Sequence, residues 1–369
     1  MLLLIISHSS FSQAQKAEEE IRSLMNRRNV AGLSVAVVKN GKMIYTNAFG
    51  MKDVEKSIPL ATTDVFRIAS ISKSFSATAI MQMVEKGRIS LDDDFGKLVG
   101  FPVRNPKFPE AVITLRMVLS HTSSINDSQG YFNLDVIDPS KGTNWAKCFN
   151  DYEPGKGYQY CNLNFNMVGV VLEKLSGQRF DRYIKQQILD PLGLYGGYYV
   201  DSLDKTRFAI LYEFNGTTKK LTASPAAYNP RTEEIKNYVM GYTTPIFSPT
   251  GGMKISAPDL AKYMTMHMNF GKYKGGRIIS KKSAQTMQTS LSDVENYGLA
   301  LWRTTKLVDG KELVGHTGSA YGLYSAMFFD PKDKFGIVII TNGCDPVSKD
   351  GYVEVIKESY NILYNNLIK

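Results

Sequence analysis

Cysteine is scarce in this chain of 369 residues, with Cys148, Cys161 and Cys344 as the full set. Three cysteines exclude a dense disulfide framework, and the lack of any CxxC pair removes zinc ribbons and dithiol redox motifs. Histidine is nearly as sparse: His8, His121, His267 and His316 form no HExxH pair, so no metal or other cofactor is expected. No run of Lys and Arg exceeds two residues. The 44 basic and 35 acidic residues give a net charge of +9, which without a zinc-finger or basic-zipper pattern reads as a diffuse basic surface and not a nucleic-acid footprint. Long apolar runs are also missing: nothing after the N-terminus approaches the roughly 18 uninterrupted apolar residues of a membrane helix.

What is present is the composition of a folded globular protein, 43% hydrophobic and 21% charged, without low-complexity tracts. The length suits about two domains, or one domain with a large insertion. The start, "MLLLIISHSSFSQAQ", has a short apolar core at Leu2–Ile6 and small residues before a cleavage point after Ala14. Residues 1–14 therefore read as a weak or truncated export signal, and the protein is expected in the periplasm or outside the cell.

Strand patterns lie at both ends. "GLSVAVVKNGKMIYTNAFG" places Asn40-Gly41 between two β-branched runs, a hairpin signal. "LYSAMFFD" and "KFGIVIITN" flank a "PKDK" turn near the other end. Helical spacing marks "KAEEEIRSLMNRRN", the stretch from Ser70 to Lys86 stopped by Gly87, "NFNMVGVVLEKLSG" stopped by Gly177, "APDLAKYMTMHMNF" and the last 18 or so residues. The expected fold class is α/β (α+β). An antiparallel sheet is built from both chain ends, residues 15–66 and 250–369, and is flanked by helices; residues 67–249 form a mainly helical inserted region.

"FRIASISKSF" contains Ser70 and, three residues on, Lys73. If Ser70 opens a helix, Lys73 rises one turn above it on the same face, and the helix N-terminus directs its free N–H groups toward the serine. Lys73 can act as a base only where burial or a second cation lowers its pKa. Taken alone the motif is weak, since "SLDK" at 202–205 matches it equally well.

Two further signals stand downstream. Tyr160-Cys161-Asn162 precedes a helix, and His316-Thr317-Gly318 ends a strand pattern. In order and spacing, S-x-x-K, Y-x-N and H-T-G resemble the three motifs of the serine β-lactamase and penicillin-binding protein superfamily, nearest to its class C β-lactamase, D-alanyl-D-alanine carboxypeptidase and esterase branch. The flanking "GRISLDDD", "ITLRMVLSHTSSI", "SPTGGMKISAPDLAKYM" and "GHTGSAYGLYSAMFFDP" are similar too, so the resemblance covers about residues 30 to 345.

The resemblance implies a β-lactamase/transpeptidase-like fold and a serine hydrolase. Ser70 would be acylated, with Lys73 its proton acceptor or electrostatic partner. Tyr160 would carry the proton to the leaving group and, as phenolate flanked by Lys73 and His316, activate water. Asn162 would bind the substrate carbonyl, and the N–H groups of Ser70 and Ser319 would form the oxyanion hole. His316, Thr317 and Gly318 would line the substrate site. A histidine at the third motif would hold a substrate carboxylate less firmly than lysine, and its hold would strengthen as pH falls; alternatively it shapes the strand edge and leaves substrate untouched. His121 reads as structural and Cys161 as a small buried residue. Substrates implied are D-amino-acid peptides, esters or β-lactams, with carboxypeptidase-like or esterase-like turnover ahead of β-lactamase activity. A non-catalytic scaffold that binds penicillin or peptidoglycan is the alternative from another class.

Overall fold

Residues Gly32–Lys39 (β1) read GLSVAVVK, and all but the last are buried. Side chains alternate across a strand, so full burial requires cover on both faces. Leu33, Val35 and Val37 enter one apolar cluster, while Ala36 and Val38 enter another. The structure, a computed structural model, describes residues 2–292 and 294–369, with side chains from residue 12 onward. The signal-like stretch at 1–14 falls largely outside the residues whose side chains are described.

The remaining strands of the main sheet are β2 (Lys42–Asp53), β3 (Ile58–Pro59), β4 (Trp302–Thr304), β5 (Leu313–Ala320), β6 (Leu323–Asp330) and β7 (Phe335–Thr341). Their order is β4-β5-β6-β7-β1-β2-β3, antiparallel throughout. The two ends of the chain meet where β1 pairs with β7, with Val35 opposite Ile339. Asn40 and Gly41 both have positive φ, as the tight β1–β2 turn requires.

One sheet face is covered by α1 (Leu2–Arg27) and α5 (Glu354–Leu363), whose Ile21, Met25, Ile356 and Tyr360 pack on Val35, Val37, Ile337 and Ile339. Each such side chain contributes roughly 1.5–3 kcal/mol by leaving water. On the other face α4 (Ala257–Met268) sets Leu260 and Met264 against Val38 and Val338. The same cluster takes in α2 (Ser72–Glu85) and α3 (Asn162–Ser176) through Phe75, Ile80, Phe165 and Val168. Sheet and inserted region thus share one core. A small sheet ties them further, Phe66–Arg67 pairing with Lys254–Ile255 and that with Gly196–Gly197. Among the described residues no helix is long and apolar enough to cross a membrane.

Candidate active site

The nucleophile candidate lies where the inserted region meets the sheet. After the short strand Phe66–Arg67 the chain turns sharply at Ala69, whose φ of +50° costs an L-residue roughly 1–2 kcal/mol. A 3-10 turn, Ala69–Ile71, then carries Ser70 and runs directly into α2 at Ser72. Ser70 therefore sits in the 3-10 turn that leads directly into the α-helix, two residues before Ser72.

Strand β5 packs against this turn. A Cβ at Gly318 would collide with the Ile68 carbonyl oxygen, to which Ser325 Oγ on β6 donates at 3.1 Å. Gly318 thus allows the strand to come close to Ser70. β4 pairs only with Leu313–Gly315, so among the described residues no strand lies on that edge of residues 316–320 of β5. Ser319 is exposed there and lines, with Ser70, Tyr160 and Asn162, a cleft of about 560 Å³. An open strand edge beside a nucleophile can pair with an extended substrate and present backbone N–H groups to an oxyanion.

Lys73 has no solvent exposure. Its Nζ lies 3.2 Å from Ser70 Oγ, 2.8 Å from Asn162 Oδ1 and 3.1 Å from the Thr250 carbonyl oxygen. Burial pulls its pKa down to about 7, against the opposing charge of Asp127. A neutral amine has two hydrogens and one lone pair. Here two neighbours are acceptors, Asn162 Oδ1 and Thr250 O, and the third is a hydroxyl able to donate. The surroundings therefore match a neutral lysine whose lone pair accepts the Ser70 proton.

Two residues outside the three motifs hold this arrangement. Asp127 accepts from the backbone N–H groups of Asn162 and Leu163 at 2.8 and 2.9 Å, capping α3, and also from Asn162 Nδ2 at 2.9 Å. Thr250 Oγ1 donates to Asn162 Oδ1 at 2.9 Å. Asn162 is thereby oriented without ambiguity: both lone pairs of Oδ1 are used, and one Nδ2 hydrogen is left for a substrate carbonyl. "SPTGG" had singled out the stretch containing Thr250, whereas Asp127 belongs to no motif.

Tyr160 is packed beside Lys73, whose Nζ is 4.6 Å from the ring centroid. Burial pushes the phenol well above its ordinary range, with Ser70 acting in the opposite sense. Its buried hydroxyl lies near Ser70 without completing a hydrogen bond. Tyr160 is accordingly a phenol at neutral pH.

The cationic role expected of His316 does not fit its position. The ring is buried, Nδ1 donates to the Thr317 carbonyl oxygen at 2.5 Å, and Nε2 accepts from Tyr297 at 2.9 Å. Both nitrogens are occupied, and burial lowers its pKa to about 3. His316 is a neutral wall behind Tyr160, at 6.1 Å between centroids, and does not line the cleft. No imidazolium therefore stands beside Tyr160 to support a phenolate. Thr317 is half-buried and faces two smaller clefts beside β5.

His121 is structural, as expected. Its Nδ1 accepts from Cys161 N at 3.1 Å, its carbonyl accepts from Gln159 N at 2.9 Å, and its ring packs at a tilt against Tyr160, 4.3 Å between centroids. It fixes the segment that presents Tyr160 and Asn162. Cys161 is buried, donates its thiol to Asp127 at 3.2 Å, and is held far from the thiolate by burial.

Sheet and helices together define a β-lactamase/transpeptidase-like fold, and the comparisons with known proteins agree on that fold. The chain belongs to the Beta-lactamase family, whose model matches residues 17–356. It is 25% identical over 342 residues to Protein flp of Staphylococcus aureus (strain N315), covering 89% of this chain and 63% of that protein. The chain thus spans a little under two thirds of that relative's length. The octameric penicillin-binding protein homologue from Pyrococcus abyssi superposes with a TM-score of 0.75 at 28% identity, covering 95% of this chain and 77% of that one. D-amino acid amidase from Ochrobactrum anthropi SV3 shares the fold at a TM-score of 0.71 and 19% identity, covering 96% of this chain and 97% of that one.

Proposed function

We propose that the protein is a serine hydrolase that works through an acyl-enzyme on Ser70, acting on small esters and on amides or peptides of D-amino acids. The observation that carries this reading is the contact of Ser70 Oγ with a buried Lys73 whose pKa falls to about 7. Ser70 O–H donates to neutral Lys73. As Oγ bonds to the acyl carbon, its proton passes to Lys73, while Tyr160 gives its own proton to the departing alcohol or amine and is restored from Lys73. The free Nδ2 hydrogen of Asn162 binds the substrate carbonyl region. The N–H groups of Ser70 and Ser319 receive the oxyanion, at about 3 kcal/mol per donor in comparable sites. Water then bonds to the acyl carbon, the Ser70 Oγ–acyl bond breaks, and Oγ takes back a proton as the acid leaves.

A neutral, buried His316 gives no cation for a substrate carboxylate. That favours esters and amides over acids such as penicillins or carboxypeptidase substrates. The carboxypeptidase-like and β-lactamase-like readings draw their support from the family and from the penicillin-binding protein homologue of Pyrococcus abyssi. Export, read from the N-terminal apolar stretch, is part of the same proposal.

The test is a substrate panel with Ser70→Ala as control: p-nitrophenyl acetate, D-phenylalanine amide, a D-alanyl-D-alanine peptide and benzylpenicillin. Ester and amide turnover lost in the variant is the expected result. Undiminished turnover by Ser70→Ala would sink the assignment, and fast penicillin hydrolysis would overturn the substrate preference.

A further inference from the structure

We infer that Glu213 recognises a protonated amine on the acyl group, which makes ammonium-bearing acyl donors, namely D-amino-acid amides and short peptides with a free N-terminus, the preferred substrate class. This rests on the acyl-enzyme reading above. An acyl group held on Ser70 must occupy the cleft into which Ser70 opens. Two charged residues, Arg67 and Glu213, line that cleft.

Arg67 is largely covered by the protein and pairs with no carboxylate among the described residues. It is 8% exposed, its Nε donates to the Gly251 carbonyl at 2.9 Å, its Nη2 lies 3.4 Å from Ser248 Oγ, and the Tyr321 ring covers the guanidinium at 4.9 Å. Glu213 is exposed, accepts only from Ser224 Oγ at 3.4 Å, and pairs with no cation among the described residues. In a chain of net charge +9 that is an unneutralised carboxylate at a cleft whose nucleophile turn is otherwise uncharged. Of the two charges on the cleft, the exposed one is the carboxylate of Glu213 and the covered one is Arg67.

The backbone that carries Glu213 is held in place. Its neighbour Tyr212 is buried, donates its N–H to the Asn342 carbonyl at 2.7 Å, and accepts at its hydroxyl from Val54 N at 2.8 Å. The β5–β6 turn rests directly on this backbone: a Cβ at Gly322 would collide with the Tyr212 carbonyl oxygen and lie 2.8 Å from Glu213 Cα. The Glu213 backbone is thereby fixed beside Tyr321, two residues from Ser319. Tyr131 and Phe132, the latter 53% exposed, add aromatic surface suited to an apolar side chain next to the amine.

The experiment compares p-nitroanilides of D-phenylalanine and glycyl-D-phenylalanine, each free and N-acetylated. For the length that seats the amine best, wild type should prefer the free form about 10-fold in kcat/KM, the low end for a hydrogen bond between charged groups. Glu213→Gln should erase the ratio and Glu213→Lys invert it, with melting curves confirming folded variants. A ratio unchanged by both substitutions overturns the inference. Calorimetry on Ser70→Ala supplies a readout independent of turnover: D-phenylalanine amide should bind about 10-fold tighter than its N-acetyl derivative, and adding Glu213→Gln should remove the difference. If that difference is seen while wild type cleaves nothing, the amine site stands and the hydrolase reading falls. Equal affinities would overturn the amine site whatever the turnover.

Discussion

Replacing Lys73 by methionine should abolish acylation and at the same time change how stability depends on pH. The folded pKa of Lys73 is about 7, against 10.5 for a free lysine. Between these values the unfolded chain binds a proton that the folded chain does not, so stability rises with pH across that window. Keeping Lys73 unprotonated in the fold costs about 4 kcal/mol at pH 7 and about 1 kcal/mol at pH 9.5. Methionine has no such term. It forgoes the contacts to Asn162 and the Thr250 carbonyl, a loss of about 1 kcal/mol each that does not vary with pH. Urea unfolding of wild type and Lys73→Met at pH 7 and 9.5 isolates the difference. The stability of the variant relative to wild type should fall by about 3 kcal/mol from the lower to the higher pH. A pH-independent difference would show that Lys73 titrates normally in the fold, and the argument for it as base would fail.

Gly318→Ala should force β5 away from the Ile68 carbonyl and lower the acylation rate at least tenfold, measured by ester burst kinetics. Asp127→Asn removes the charge that raises the Lys73 pKa, so the acidic limb of the acylation profile should move below pH 7; weakening the α3 cap costs about 1 kcal/mol in unfolding. His316 stays neutral down to about pH 3 when folded but protonates below 6.5 when unfolded, so stability is lost as pH falls through that window. His316→Gln should spare about 2–3 kcal/mol of the loss between pH 6.5 and 4.5 in urea titrations.

Much of the fold could be read from periodicity because burial on both sheet faces leaves strong patterns. The Asn40-Gly41 hairpin, the PKDK turn and the glycine stops at 87 and 177 are local signals with local causes. Ser70, Lys73, Tyr160 and Asn162 carried recognisable spacing, and the structure brings the four together. What eluded the sequence depends on surroundings. Nothing in H-T-G tells whether the imidazole faces the cleft or the Tyr297 hydroxyl, and only packing decides. Asp127 lies in a loop, 35 residues before the helix it caps, and no spacing rule connects the two. The 3-10 entry at Ser70 begins at the left-handed Ala69, a residue type that does not advertise positive φ.

The most direct test of the account is the pH dependence of acylation itself. Wild type and Ser70→Ala would be mixed with p-nitrophenyl acetate between pH 5.5 and 9, quenched in acid, and weighed as intact protein. A single acetyl adduct, absent from Ser70→Ala and forming at a rate that rises to half its plateau near pH 7, is the predicted result. An adduct that persists in Ser70→Ala, or a rate that keeps climbing toward pH 10, would contradict a Ser70 nucleophile served by a lysine that burial keeps neutral.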